Sequence, residues 1–220
     1  LILAAIFADV LAPYDPLAPY PEIRLSAPSR AHPFGTDDIG RDVLSRIIYG
    51  SRISLWVGLL AVGIGTAAGM IIGLLCGYCE GRLDLIVQRV MDAVQSIPGL
   101  VLALAIVSVL KPSTTNAMLA IAIVIIPGNS RIVRGVVLTA KQNRYVEAAQ
   151  AMGCRHPRII LSHILPSVTA PILVIASIWL GNAILIEATL SFLGVGTQPP
   201  TPSRGLMLSS TGRAFMEQAP

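Results

Sequence analysis

The chain has 220 residues, 54% of them hydrophobic and 13% charged, with a net charge of +4 and a mean hydropathy of +0.71. A soluble domain carries about 25% charged residues, so this chain lacks the polar surface to cover itself in water, and an integral membrane protein is the reading that remains. Aromatics make up 5% and the positive charge is diffuse, which argues against a β-barrel of alternating strands and against a nucleic-acid partner.

In chain order, the first segment opens in the middle of a hydrophobic run, Leu1 to Ala8, with no basic signal-peptide start. Residues 1–13 therefore read as the end of a truncated first transmembrane helix. Residues 14–52 read as an aqueous loop on the extracytoplasmic side. Its start, "APYDPLAPYPE", is Pro-rich and extended. From Asp37 the apolar residues Ile39, Val43, Ile47 and Ile48 fall at roughly helical spacing, which predicts an amphipathic helix lying on the membrane surface. Asp37, Asp38 and Asp42 lack the alternation and terminal Glu of a calcium loop, so they read as a solvated helix start rather than a metal site.

A transmembrane core is expected over 53–195. Spanning the hydrocarbon takes about 20 mostly apolar residues, and Ile53 to Tyr78 supplies one such run. Ala61, Gly65, Gly69, Gly73 and Gly77 recur in it at every fourth position, a helix-packing face that is either a moving interface or a static seam. Cys76 and Cys79 have C-x-x-C spacing, but no second pair exists, and small apolar residues at a helix end account for them. Leu85 to Leu110 is a second span with a polar first part. Ala117 to Leu138 is a third, interrupted at Pro127-Gly128-Asn129, and Ile164 to about Leu193 is a fourth, holding Asn182 and Glu187. Pro98 and Pro127 predict bends, either structural or opening a cavity. With the first segment this makes five spans, and residues 196–220 read as an extracytoplasmic segment.

Glu187 is the one acid well inside an apolar run, and an intramembrane acid is a functional candidate by default. The nearby "LGVGTQPP" places it near the water at the helix end instead. Other chemistry is absent. There is no G-x-x-x-x-G-K-[ST] loop, so the chain does not hydrolyse ATP by itself, and no H-E-x-x-H or G-x-S-x-G. His32, His156 and His163 form no ligand set. No catalytic residue, metal site or bound cofactor is expected.

The densest positive stretch is residues 131–163, from the end of the third span to the start of the fourth. Arg131, Arg134, Lys141, Arg144, Arg155 and Arg158 face a single acid of that stretch, Glu147. Such a loop tends to lie on the cytosolic side, although the Lys and Arg of all the loops divide evenly between the two sides. Within residues 139–163, "EAAQAM" has strong helix propensity, Gly153 offers a left-handed stop, and Pro157 fits the first turn of a second short helix. Ala148, Ala149, Met152, Ile159 and Ile160 give this bent pair apolar points suited to a groove on another protein.

"EAAQAMG" followed by "ILP" resembles the E-A-A motif of permease subunits of bacterial ATP-binding-cassette importers. "HPFGTDDIGRDVLSRIIYGSRISL", "PGNSRIVRG", "HILPSVTAPILV" and "EATLSFLGVGTQPPTPSRG" are similar, in order, to stretches of the dipeptide/oligopeptide/nickel permease group, in particular its second permease subunit. The resemblance covers nearly the whole chain. It implies an all-α polytopic transmembrane helical bundle, the type I importer permease fold, with about five of six spans present. It implies a homologous permease partner, two ATPase subunits carrying the ATP and Mg, an extracytoplasmic solute-binding protein, surrounding lipid and the bacterial inner membrane. It also implies that Glu147, Ala148, Ala149 and Gly153, with Leu165-Pro166 at the end, form the ATPase-docking motif, and it places the loop in the cytosol. The rival reading from residues alone is a proton-coupled secondary transporter using Glu187. Three departures from the family pattern stand out: Arg204 where an aromatic is usual, Asn129-Ser130 for an aromatic-Ala pair, and Cys154-Arg155-His156 at a small-residue bend.

Overall fold

The computed structural model describes residues 2–209. Among these the regular structure is helical, the sole β feature being an isolated bridge between Thr36 and Asp42. The helices are α1 (Ile2–Ile6), α2 (Ala8–Leu11), α3 (Val43–Cys79), α4 (Gly81–Gln95), α5 (Gly99–Leu110), α6 (Thr114–Lys141), α7 (Arg144–Ala151), α8 (His156–Ile159), α9 (Leu165–Phe192) and α10 (Arg204–Met207). A π turn, Ile160–Ile164, joins α8 to α9. Three stretches, Val43–Cys79, Thr114–Lys141 and His156–Phe192, are long and apolar enough to cross a membrane, and the bent pair α4–α5 makes up to four.

Several boundaries differ from the sequence expectation, each for a local reason. The surface helix expected from Asp37 is instead a tight turn over 37–42, after which α3 runs unbroken from Val43 into the apolar span. Asp42 is buried rather than solvated, and it caps this start. Its Oδ2 accepts from the Ser45 amide and hydroxyl, each at 2.7 Å, and its Oδ1 lies 3.0 Å from His32 Nδ1. Asp37 pairs with Arg41 at 2.7 Å. The expected second span is broken at Ser96–Pro98, where the axis turns through 89°. Pro127, by contrast, sits inside a continuous α6, whose Ser130 hydroxyl donates to the Pro127 carbonyl at 2.9 Å.

The helix ends are chemically specified. Asn116 Nδ2 donates to the carbonyls of Leu110 and Lys111, closing α5, and the Ser113 hydroxyl accepts from the Asn116 amide to open α6. Gly194 ends α9 at φ +80°, a left-handed conformation that costs glycine nothing. The π turn lies just before Leu165-Pro166, where the proline removes an N–H from the helical ladder.

The chain divides into two compact units, one comprising residues up to Leu59 with Leu104–Leu119 and from Ala183 on, the other Leu60–Ala103 with Ala120–Asn182. In the first, Arg52 pairs with Asp9 at 3.0 Å, and α10 packs so closely on α9 that a Cβ at Gly205 would collide with the Ala188 backbone. In the second, four glycines of α3 lie directly against α6. A Cβ at Gly65 would come within 2.7 Å of the Ala122 carbonyl, at Gly69 within 2.7 Å of Asn129 Cβ, at Gly73 within 2.7 Å of Val133 Cβ, and at Gly77 within 2.8 Å of Val137 Cβ. Four-residue spacing thus produces backbone-to-backbone packing, the device that membrane helices use where burial of apolar surface offers no drive.

Candidate functional site

The basic loop folds as two short arms around a bend. The α7 arm starts at Asn143, whose extended backbone (ψ 141°) lets its carbonyl accept from the Val146 amide at 2.9 Å. It stops at Gly153, where φ is +78°. The Gly153 amide donates to the Gln150 carbonyl and the Cys154 amide to the Ala149 carbonyl, at 2.9 and 3.1 Å, which is a Schellman closure. Pro157 then sits in the first turn of α8.

Both arms are anchored beneath the helix ends. Val146, Ala149, Ile159 and Ile164 are fully buried in one apolar cluster with Leu74 and Tyr78 of α3 and Val133, Val137 and Ala140 of α6. Ala149 and Ile159, expected as points for a partner, are therefore internal anchors: Ala149 shares a helical face with Val146, three residues earlier, and that face meets the core, while Ile159 is buried from the second arm. The outward side carries Glu147, Ala148, Gly153 and Met152, the last 77% exposed. Leu165 packs half-buried against the cluster and Pro166 is exposed. Hence Ala149 lies inside the apolar cluster and Leu165 at its edge, while Glu147, Ala148 and Gly153 lie on the loop's free surface.

The electrostatics differ from a bare positive loop. Lys141 pairs with Glu80 at 2.8 Å, Arg134 forms a two-pronged pair with Asp84 (2.6 and 2.5 Å), and Arg131 pairs with Asp92. Asp84 and Asp92 fall on one face of α4 eight residues apart, with Glu80 just before its start, opposite the basic face of α6. That periodic match was visible in the sequence and signals two helices running side by side. Arg144, Arg155 and Arg158 remain exposed on the loop. Sequence reasoning also missed the Tyr78 hydroxyl, which lies 2.6 Å from His156 Nδ1.

A second polar site lies in the other unit. Glu187 is fully buried, not near water. Its Oε2 accepts from Ser54 at 2.8 Å, and its Oε1 from Ser191, Ser203 and Thr197 at 2.8, 3.1 and 3.3 Å. The segment after α9 folds back and brings Thr197 and Ser203 onto the carboxyl, which is why the apparent helix end is dry. Among the described residues no three His, Cys, Asp or Glu side chains gather where they could hold a metal ion, and Cys76 is buried while Cys79 is exposed.

Known proteins give this geometry a family. The model of the binding-protein-dependent transport system inner membrane component matches residues 69–216. The dipeptide transport system permease protein DppC of Alkalihalophilus pseudofirmus is 45% identical over 219 residues, 100% of this chain and 72% of that protein. The probable D,D-dipeptide transport system permease protein DdpC of Escherichia coli is 44% identical, covering 99% of this chain and 73% of that protein. The glutathione transport system permease protein GsiD of Pectobacterium atrosepticum is 42% identical, covering 100% and 73%. A chain of the MetNI methionine ABC transporter, solved in inward-facing conformations, shares the fold, with a TM-score of 0.64 at 16% identity over 80% of this chain and 90% of that one. With apolar membrane-length helices, this fold and a family match over most of its length, the chain belongs to the binding-protein-dependent transport system inner membrane components, as a multi-pass permease subunit of an ATP-binding-cassette importer.

Proposed function

We propose that this permease forms half of a pathway carrying short peptides inward across the bacterial cytoplasmic membrane. In this reading it pairs with a homologous permease, receives substrate from an extracytoplasmic binding protein, and couples to two cytosolic ATPase subunits that hold the ATP and Mg. The peptide class comes from relatives named for dipeptides, D,D-dipeptides and glutathione. The loop of α7 and α8 is the docking element, and Glu147, Ala148 and Gly153 are its contact residues. One observation carries the assignment: the arms bury Val146, Ala149, Ile159 and Ile164 under α3 and α6, yet leave Ala148 and Met152, one turn apart, exposed beside charged groups.

Closure of the ATPases on ATP then displaces the bend at Gly153, and α3 and α6 rock along the Gly65–Gly77 seam between two access states. The test is a thiol at position 152 in a chain whose native cysteines are replaced by alanine. A covalent bridge to an ATPase subunit in the assembled complex is the expected result. Labelling of that thiol from outside intact cells overturns the reading. Position 149 is unsuited to this, being buried.

A further inference from the structure

Three elements converge on the last turn of α3. His156, the first residue of α8, sits with its Nδ1 2.6 Å from the Tyr78 hydroxyl, and the two rings meet edge-on with centroids 5.6 Å apart. Lys141, the last residue of α6, donates to the Tyr78 carbonyl at 2.8 Å and reaches Glu80 at 2.8 Å, its ammonium 5.4 Å from the Tyr78 ring. Glu80 itself has φ +51°, a left-handed conformation disfavoured for a residue with a Cβ, at the sharp reversal from α3 into α4. The end of α3, the end of α6 and the second arm of the loop are thus tied at one tyrosine that is 8% exposed.

Elsewhere the loop meets α3 and α6 through the apolar side chains Val146, Ala149, Ile159 and Ile164, while the Tyr145 hydroxyl, 3.2 Å from Ser167 Oγ, ties the first arm to α9 rather than to α3. Apolar contact is non-directional, so those side chains hold the loop without fixing how it moves against α3. A 2.6 Å hydrogen bond is directional and fails when misaligned. His156 lies three residues past Gly153, so displacement of the bend reaches it before the rest of α8.

We propose that the Tyr78–His156 hydrogen bond is the strut that delivers the loop's displacement to α3, with both as positioning residues and Lys141 holding the tyrosine's backbone in place. This rests on the reading of the loop as the ATPase-docking element. Tyr78→Phe is the sharp variant, because it keeps the ring in the apolar cluster and deletes only the hydroxyl.

The experiment uses the assembled complex in lipid vesicles, with Cys76, Cys79 and Cys154 replaced by alanine. A thiol at position 152 reports docking by its bridge to the ATPase. A nitroxide at position 63, where an added Cβ would meet nothing within 4 Å, reports α3 by its spectrum before and after trapping with ATP and vanadate. The parent is expected to show both the bridge and a spectral response. Tyr78→Phe should keep the bridge while its response falls about five-fold or more, the scale of a modest coupling free energy. His156→Phe should do the same, and the double variant should be no worse than either single, because both remove one interaction. A parent without the bridge overturns the docking reading and the strut with it. A bridge with no response in the parent, or a full response in Tyr78→Phe, overturns the strut alone.

Discussion

Ser54 on α3 donates a 2.8 Å hydrogen bond to Glu187 on α9, and both side chains are buried. The same carboxyl takes Ser191, Thr197 and Ser203, so one acid organises four hydroxyls from two helices and the segment that follows α9. Removing it orphans all four donors at once. Glu187→Ala should cost about 3 kcal/mol or more, since the loss of one partner from a buried polar network leaves the others unpaired. Glu187→Gln keeps one acceptor oxygen and should cost less. Thermal unfolding of the purified complex measures the order, and tryptic cleavage at Arg204 should rise first in the Ala variant. Equal stability of Ala and native proteins would remove the carboxyl's organising role.

The glycine seam makes a contrast within one helix. At Gly73 a Cβ would meet Val133 Cβ at 2.7 Å, whereas at Gly63 it would meet nothing within 4 Å. Gly73→Val should therefore destabilise by about 2 kcal/mol or more through overpacking against α6. Gly63→Ala should stabilise slightly, by about 0.5–1 kcal/mol, because alanine is the better helix former. Unfolding of the two variants in the same detergent checks the sign difference. If both fall together, the seam is not what holds α3 against α6.

Asp42 supplies a pH-dependent term at the other end of α3. Burial alone would raise its carboxyl, but the Ser45 amide and hydroxyl together with His32 outweigh that and hold it below the ordinary value of 3.8. A depressed carboxyl contributes stability that is complete above the unfolded value and lost as pH falls through the folded one. The native chain should thus lose stability on acidification below pH about 4, and Asp42→Asn should lose less over the same interval. At neutral pH Asp42→Ala should cost about 1–2 kcal/mol as a lost helix cap. Unfolding curves at pH 7 and at about pH 3 decide it, and parallel losses in native and Asn proteins would assign the acid sensitivity elsewhere.

What sequence could reveal follows from the range of each interaction. Local rules were sufficient for the stop at Gly153, the start at Pro157 and the apolar spans, since left-handed glycine, proline at a first turn and hydropathy act within a few residues. The break at Ser96–Pro98 was expected only as a bend, because the angle depends on what the two halves pack against. Glu187 was misplaced for a longer-range reason. Its dryness comes from Thr197 and Ser203 folding back over it, and no local pattern reports that return. The inward turn of Ala149 and Ile159 is of the same kind. Sequence presents each as a free apolar point, because the surface they bury against belongs to α3 and α6. The acid face of α4 was legible, but only by comparing its period with that of α6.

Gly153 and Glu147 separate folding from coupling. Gly153 has φ +78° and an amide donating to Gln150, so Gly153→Pro is excluded twice, by its fixed negative φ and by its missing N–H. Gly153→Ala meets nothing within 4 Å and carries only the left-handed penalty, about 1–2 kcal/mol. The loop's buried anchors, Val146 and Ile159, are untouched by either change. The expected outcome is graded: Gly153→Pro inserts into the membrane but abolishes uptake driven by ATP, and Gly153→Ala retains part of it. Glu147 is exposed in the first turn of α7, so Glu147→Arg leaves the core intact while reversing the charge offered to a partner. It should therefore reduce ATP hydrolysis coupled to uptake without lowering the amount of permease in the membrane. Uptake at the native level in both Gly153→Pro and Glu147→Arg, at matched expression, would mean that the bend is a structural turn and that force enters the bundle elsewhere.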